Sequence, residues 1–145
     1  MKFTPDYYPL NAFRICADRI DDDVEGRVFS PLKPDVIRFS GMTGLLVKMD
    51  ELFDRVGYPQ AFQDKRSFDG IKEHTNLYRG IPEGEMSPAL ILEQTGEQKT
   101  FDVLVISRKN TSWQGELYNE DNAFLKSFNG EIELLESIVR FSAIE

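Results

Sequence analysis

The chain contains only one cysteine and one histidine among its 145 residues. Because Cys16 has no second thiol to pair with, the sequence excludes an intrachain disulfide and a cluster of thiolate metal ligands, and it fits a reducing compartment. The lone His74 excludes a zinc site or a proton relay that needs two histidines from one chain. A thiolate metal cluster and a site that needs two histidines from one chain are therefore both excluded.

Long hydrophobic runs and positive charge are also scarce. No segment approaches the roughly 20 apolar residues of a membrane-spanning helix, and Pro5 and Pro9 interrupt the region where a signal peptide has its apolar stretch. The 25 acidic residues outnumber the 17 basic ones, and the net charge of −8 repels phosphate backbones and anionic lipids. We expect a soluble, cytoplasmic protein that binds neither nucleic acid nor membrane.

Apolar and aromatic residues, by contrast, are plentiful. Hydrophobic residues make up 41% of the chain and include 11 Phe and 5 Tyr, which is too many for a disordered sequence. The length is near the commonest domain size and suffices for a real core. The composition predicts a single domain over residues 1–145.

An internal repeat is the most informative feature of the sequence. When residues 15–55 are shifted forward by 89 positions without a gap, six residues coincide and similar residues fall in step with them. Glycines, turn residues and helix positions keep their roles, as expected for a duplicated structural unit. We predict repeat units at 13–56 and 101–145, joined by a connection at 57–100. The identical pairs are Arg19 and Arg108, Gly26 and Gly115, Phe39 and Phe128, Gly41 and Gly130, Leu45 and Leu134, and Leu46 and Leu135.

The first unit is predicted to contain three strands. Residues 13–20 alternate apolar and polar side chains, which is the period of a strand with one buried face. Residues 24–30 return as its partner, Pro31 and Pro34 interrupt the pairing, and residues 36–39 resume it.

A helix follows these strands. Ser40 is the predicted N-cap and Gly57 the predicted stop. The apolar positions between them recur with helical spacing and form one continuous stripe. They are Met42, Leu45, Leu46, Met49, Leu52, Phe53 and Val56.

The second unit repeats this pattern. Residues 101–108 are apolar on both faces, which predicts a central strand; residues 113–118 and 123–128 continue the sheet, and Asn129 caps a second helix. Within the connection, residues 89–94 are predicted to form an extra strand. Together the elements predict an α+β fold in which an antiparallel sheet is covered by two helices, with the two strand-strand-strand-helix units related by a pseudo-two-fold axis. The second helix buries Leu134, Leu135, Ile138 and Phe141.

Two segments resemble a group of small uncharacterised bacterial proteins. In the second unit the sequence SRKNTSWQGELY is followed by FNGEIELLESI, similar to the group's R-x-N-x-[ST]-W-Q-G hairpin and E-L-[IL] helix. The sequence LLVKMDELFDRVGYPQAFQDKRSF resembles the group's first half. The chain departs at Tyr118, where the group has Trp, and at Asn129, where Ser is commoner. The resemblance supports the coherence of the two halves and implies no activity.

Several residues have side chains that could carry chemistry. Asp21, Asp22, Asp23 and Glu25 are oxygen ligands of the kind that calcium and magnesium prefer, but the EF-hand spacing is absent and a solvated hairpin tip is the favoured interpretation. His74 lies between polar neighbours, which favours a surface or hydrogen-bonding role over a catalytic base.

Cys16 and the glycines after the third strand complete the candidates for chemistry. Cys16 lies on the polar side of the first strand, and no base can be placed beside it from sequence. Gly41 and Gly44 lack the frame of a phosphate-binding loop, so close strand-to-helix packing explains Gly41 more simply. We therefore predict no catalytic residue, no metal ligand and no cofactor.

The aromatic residues of the second hairpin and of the connection are the remaining candidates. Alternation places Trp113, Gly115 and Leu117 on one face, and the favoured interpretation makes Trp113 a core residue. The other face then offers exposed contact residues. The predicted partner-binding residues are Arg108, Gln114, Tyr118, Tyr58, Phe62 and Tyr78.

These patterns lead to two functional hypotheses. The first is a non-enzymatic, cytosolic interaction module that binds a protein or peptide through sheet edges, hairpin tips or the aromatic connection. The second is a small-molecule sensor or a carboxylate-based hydrolase that uses a groove between the repeats. Strand edges and pseudo-symmetry are also compatible with a homodimer.

Overall fold

A six-stranded antiparallel sheet forms the centre of the protein. The computed structural model describes residues 3–57, 61–62, 86–109 and 112–142. The elements in these ranges are β1 (Ala12–Ile20), β2 (Val24–Ser30), β3 (Lys33–Ser40), α1 (Met42–Val56), β4 (Ala61–Phe62), α2 (Pro88–Leu92), β5 (Lys99–Lys109), β6 (Gln114–Asn119), β7 (Phe124–Asn129) and α3 (Glu131–Ser142). The predicted α+β class with an antiparallel sheet is confirmed.

The strand order is β3-β2-β1-β5-β6-β7, and the two-residue β4 lies parallel to the end of β5. Strands β1 to β3 and β5 to β7 therefore form two antiparallel meanders, which meet where β1 pairs with β5. We call this β1–β5 pairing the seam. The prediction that the apolar strand beginning near residue 101 is central is confirmed, because β5 lies between β1 and β6.

Helix α1 follows the predicted apolar stripe but begins differently. Its N-cap is Gly41 and no side chain of the capping residue takes part; Ser40 instead donates to Glu25. A neighbouring turn supplies the cap, because the Asp23 carboxylate accepts from the backbone N–H of Met42 at 3.0 Å. The prediction of Ser40 as N-cap is wrong because Gly41 separates it from the helix. The buried side chains of α1 are Met42, Leu45, Met49, Leu52, Phe53 and Val56.

The extra strand predicted at 89–94 is wrong. Residues Pro88–Leu92 form the short helix α2, whose first turn begins with proline. The hydroxyl of Ser87 accepts from the backbone N–H of Leu90 at 3.2 Å and caps the helix. A short apolar run fits a strand or a buried helix equally well, so the Ser-Pro start signal decides between them.

The interruption predicted between residues 30 and 36 is found in the pairing of β3, although not in its extent. Strand β3 begins at Lys33 and includes Pro34. Its register with β2 is irregular there, because Ser30 pairs with Lys33 and Val28 with Ile37. Proline lacks a backbone donor and is tolerated at such an irregularity of an edge strand.

The sheet buries a core on each of its faces. On one face, which we call the helix face, α1 and α3 cover residues such as Phe13, Ile15 and Trp113. On the opposite or far face, the amino-terminal segment and the segment containing α2 cover a second cluster around Cys16 and Tyr118. None of the helices in the described ranges has the length and apolar composition that crossing a membrane requires.

Candidate interaction surface

Tyr118 lies on the far face, but it is not an exposed contact residue. Only 7% of its surface is exposed, and the ring of Phe3 packs edge-on against it at 5.2 Å. Its hydroxyl donates to Glu116 at 2.6 Å. Burial, together with this hydrogen bond, raises the pKa of Tyr118 to about 12. The expectation that it is exposed is wrong, because the chain's own amino-terminal segment covers it.

Arg108 is also buried, on the helix face. Its exposed fraction is 1%, and its Nη1 donates to Oδ1 of Asp50 at 2.8 Å and lies 3.0 Å from Oδ1 of Asp54. The expectation of exposure is wrong because a bulge between Val105 and Ser107 adds one residue to β5. Such a bulge reverses the alternation, so Arg108 faces α1 instead of the far face.

Among the other predicted contact residues, Gln114 is half-buried and accepts a hydrogen bond from Ser107 at 2.7 Å. The backbone of Phe62 belongs to β4, where Phe62 pairs with Lys109. Tyr58 and Tyr78 lie outside the described residues, and so does His74. Of the described members of the set, Arg108 faces α1 and Tyr118 lies in the far-face cluster, so these two do not share one exposed surface.

A buried polar cluster on the far face was not anticipated. Arg14 and Asp102 face each other across the seam and form a two-pronged ion pair, with Nε–Oδ1 and Nη2–Oδ2 distances of 3.0 and 2.9 Å. Their side chains are 2% and 0% exposed. The hydroxyl of Tyr8 donates to the same carboxylate at 2.6 Å. The remaining nitrogen of Arg14 donates to the carbonyl oxygens of Leu92 and Gln94.

The electrostatics of this cluster follow from its burial. Desolvation, with the charge of Asp102 and the hydrogen bond to it, raises the pKa of Tyr8 well above its usual value. For Arg14, burial alone lowers the pKa, but the hydrogen bonds and the charge of Asp102 outweigh it and raise the pKa. The cluster therefore holds a charged pair with a neutral phenol. Its hydrogen bonds tie β1, β5, the amino-terminal segment and the segment after α2 together.

The acidic turn has a structural role as well. Asp23 accepts hydrogen bonds from the backbone N–H groups of Val24 and Met42, and so fixes the start of α1. On the surface, Nε of Arg19 lies 3.6 Å from Oδ2 of Asp21, and its Nη1 lies 3.5 Å from Oε1 of Glu25. Within the described ranges, no three acidic, histidine or cysteine side chains converge as metal ligands.

Cys16 provides a direct test of how closely the far face is covered. The side chain is fully buried, and burial raises the pKa of its thiol to about 12. Because the thiolate is the reactive form, we expect the native protein to react with a thiol reagent at pH 8 at least about 100-fold more slowly than the protein in urea. The reaction is measured by mass spectrometry or by absorbance. Equal rates in both conditions would contradict this packing.

The outer strand β7 forms one of the two edges of the six-stranded sheet. It pairs with β6, and no other strand of the described ranges pairs with its outer edge. Its first residue, Phe124, is 53% exposed, although its ring contacts Tyr118 edge-on at 5.7 Å. An unpaired strand edge presents backbone donors and acceptors to which another strand can bind. The local sequence predicts binding at sheet edges without identifying β7, because the order of the strands depends on distant parts of the chain.

The chain matches no protein-family model, no curated protein and no solved structure in comparisons with each. The geometry of the site therefore carries the functional argument.

Proposed function

We propose that the chain is a non-enzymatic, cytosolic interaction module that binds an extended segment of a partner protein along the outer edge of β7. The observation that carries the proposal is the combination of a free edge in the described sheet with the exposed ring of Phe124. A partner strand would gain main-chain hydrogen bonds from the edge and specificity from the side chains. The net charge of −8 favours a partner with basic residues.

The two edges of the sheet differ in a way that supports the choice of β7. Strand β3, at the opposite edge, contains Pro34 and exposes the charged side chains of Asp35 and Arg38. Proline and outward charges are devices by which natural proteins discourage strand addition. Strand β7, with the sequence FLKSFN, has no proline.

A matched pair of alanine variants tests this function. Phe124→Ala is expected to reduce the amount of partner retained from cell extract on immobilised protein by about tenfold or more, as for an aromatic anchor of an interface. Val47→Ala serves as the control, because Val47 is a similarly exposed apolar residue on α1. Retention of no stoichiometric partner by the natural protein, or equal retention by Phe124→Ala, would count against the proposal.

The proposal includes the architecture of the module, which we infer to be a duplicated unit with a pseudo-two-fold axis. Each meander is followed by a helix, in the same order. A further similarity concerns two glycines of the second and sixth strands. A Cβ at Gly26 would collide with the carbonyl oxygen of Cys16, and a Cβ at Gly115 would collide with that of Leu104. Both positions therefore require the close approach that glycine allows.

The strand registers support the duplication and refine its offset. Ile15 pairs with Val28 in the first meander, and Val103 pairs with Leu117 in the second. The second strands are thus related by 89 positions, but the first strands by 88, from Ile15 to Val103. The bulges of the first strands fit the same offset of 88 positions. The residue that the strand register skips is Asp18 in β1 and Ile106 in β5. An ungapped alignment places Arg19 on Arg108 and misses this one-residue difference.

A cavity supports the second candidate function, a small-molecule sensor. It has a volume of about 380 Å³ and lies between the segment before β5, the β6–β7 turn and the end of α3. Phe101, Leu125 and Phe141 supply apolar walls, and Lys99 and Asp121 supply charge. A ligand that binds the native state raises the melting temperature, so a thermal-shift screen separates this candidate from the interaction module. The cavity is lined by the second unit and by residues 96–100 of the connection, so it differs from the groove between the repeats that the sequence suggested for both the sensor and the hydrolase.

A further inference from the structure

The Arg14–Asp102 ion pair occupies a special position in the seam. The strand register pairs Ala12 with Leu104, Arg14 with Asp102 and Cys16 with Thr100. The shift of 88 positions that relates β1 to β5 carries Ala12 onto Thr100 and Cys16 onto Leu104. The two pairs on either side of Arg14–Asp102, which are Ala12–Leu104 and Cys16–Thr100, therefore change places. The same shift carries Arg14 onto Asp102, its own partner. The pair therefore lies on the pseudo-two-fold axis, and this step rests on the duplication proposed above.

At such an axis, pairing of two like units would bring a residue against its own copy. Two first units joined through β1 would place Arg14 against a second Arg14, and two second units joined through β5 would place Asp102 against a second Asp102. In the native seam these side chains are 2% and 0% exposed, so like charges there would face each other without water. Juxtaposed like charges are a known means of excluding wrong partners.

The groups around the pair also fit only one placement of the charges, with the guanidinium on β1 and the carboxylate on β5. The guanidinium of Arg14 finds the carbonyl oxygens of Leu92 and Gln94, and the carboxylate of Asp102 finds the hydroxyl of Tyr8. The native pairing thus satisfies each charge with hydrogen bonds besides the ion pair. Burial of a charge is tolerated only when such partners are present.

We propose that Arg14 and Asp102 determine the specificity of the seam. They make the first unit an interaction surface for a second unit only, whether that unit belongs to the same chain or to another copy. Pairing of first with first, or of second with second, between copies is excluded. The partner that the β1 edge fits is therefore a β5-type strand with a carboxylate at the axial position.

Two full-length variants with like charges at the axis test the proposal. Arg14→Asp leaves two carboxylates in the chain's own seam, and Asp102→Arg leaves two guanidinium groups. Each variant alone is expected to lose cooperative unfolding. When the two are co-expressed with different affinity tags, Asp102 of one chain can meet Arg14 of the other and restore a native seam. We expect the tag of one variant to recover the other at least tenfold more efficiently than either variant recovers its own kind.

Two controls keep the result interpretable. Arg27 and Asp18 form a partly exposed ion pair away from the axis, so Arg27→Asp and Asp18→Arg should each fold alone and should not recover one another. The double variant Arg14→Asp/Asp102→Arg restores opposite charges within one chain but loses the hydrogen bonds to Leu92, Gln94 and Tyr8, so it should be more stable than either single variant and less stable than the natural protein. The readout needs no external partner, so it is independent of binding along β7. Native stability of either axial variant alone, failure of the mixture to assemble, or a double variant no more stable than the single variants would overturn the proposal.

Discussion

Replacement of Asp102 by alanine is expected to lower the free energy of unfolding by about 3–5 kcal/mol, the loss typical when one partner of a buried ion pair is removed. The variant leaves the guanidinium of Arg14 in a site where its side chain is only 2% exposed. It also removes the acceptor of the Tyr8 hydroxyl. Urea unfolding followed by far-ultraviolet circular dichroism measures the effect. A loss of this size is a large part of the total stability of about 5–15 kcal/mol of a typical domain.

The control for this prediction is Asp18→Ala. Asp18 also pairs with an arginine, Arg27, at 2.9 Å, but both side chains are partly exposed. The hydrogen bond from Arg27 lowers the pKa of Asp18. Solvent-exposed ion pairs contribute only about 0–1 kcal/mol, so the control should cost much less. If both variants lost the same small amount, the seam would not depend on its buried charges.

Replacement of Trp113 by alanine is expected to destabilise the protein by about 3–5 kcal/mol, because it opens a large cavity in the core. Trp113 is fully buried, and its ring lies 5.9 Å from that of Phe13 and 5.8 Å from that of Phe53. Its indole N–H donates to Asp50 at 3.1 Å. Trp113, which lies immediately before β6, therefore packs against both β1 and α1. Urea unfolding is followed by circular dichroism here, since the variant has no tryptophan fluorescence.

Two further variants define the cause of that loss. Trp113→Phe keeps an aromatic ring but loses the hydrogen bond to Asp50, so its destabilisation should be smaller than that of Trp113→Ala. Tyr7→Ala removes an aromatic side chain that is largely exposed and should change stability by less than about 0.5 kcal/mol. A Trp113→Ala protein as stable as the Tyr7→Ala protein would contradict the packing of the helix face.

The elements with strong periodicity were predictable from sequence. The apolar stripe of α1 and the central position of β5 are both found in the structure, and Trp113 is in the core as the alternation indicated. These features depend on residues close together in the chain, where side-chain period and burial coincide. Local patterns therefore sufficed for the α+β class.

The wrong predictions concern residues whose surroundings are formed by segments distant in the chain. Arg14 and Cys16 alternate with apolar residues in β1 and would face water in an isolated sheet, but the amino-terminal segment and the segment around α2 cover them. Arg108 changed faces because of a bulge, which adds one residue without a clear sequence signal. The buried ion pair was invisible for the same reason, since its two residues lie far apart and meet only through the strand order.

Nuclear Overhauser effects between backbone protons of β1 and β5 report directly how the two three-strand groups join at the seam. With Arg14 and Asp102 at the centre of the seam, we expect cross-strand contacts that place Ala12 opposite Leu104, Arg14 opposite Asp102 and Cys16 opposite Thr100. Contacts in a different register, or no contacts between these two strands, would contradict this pairing.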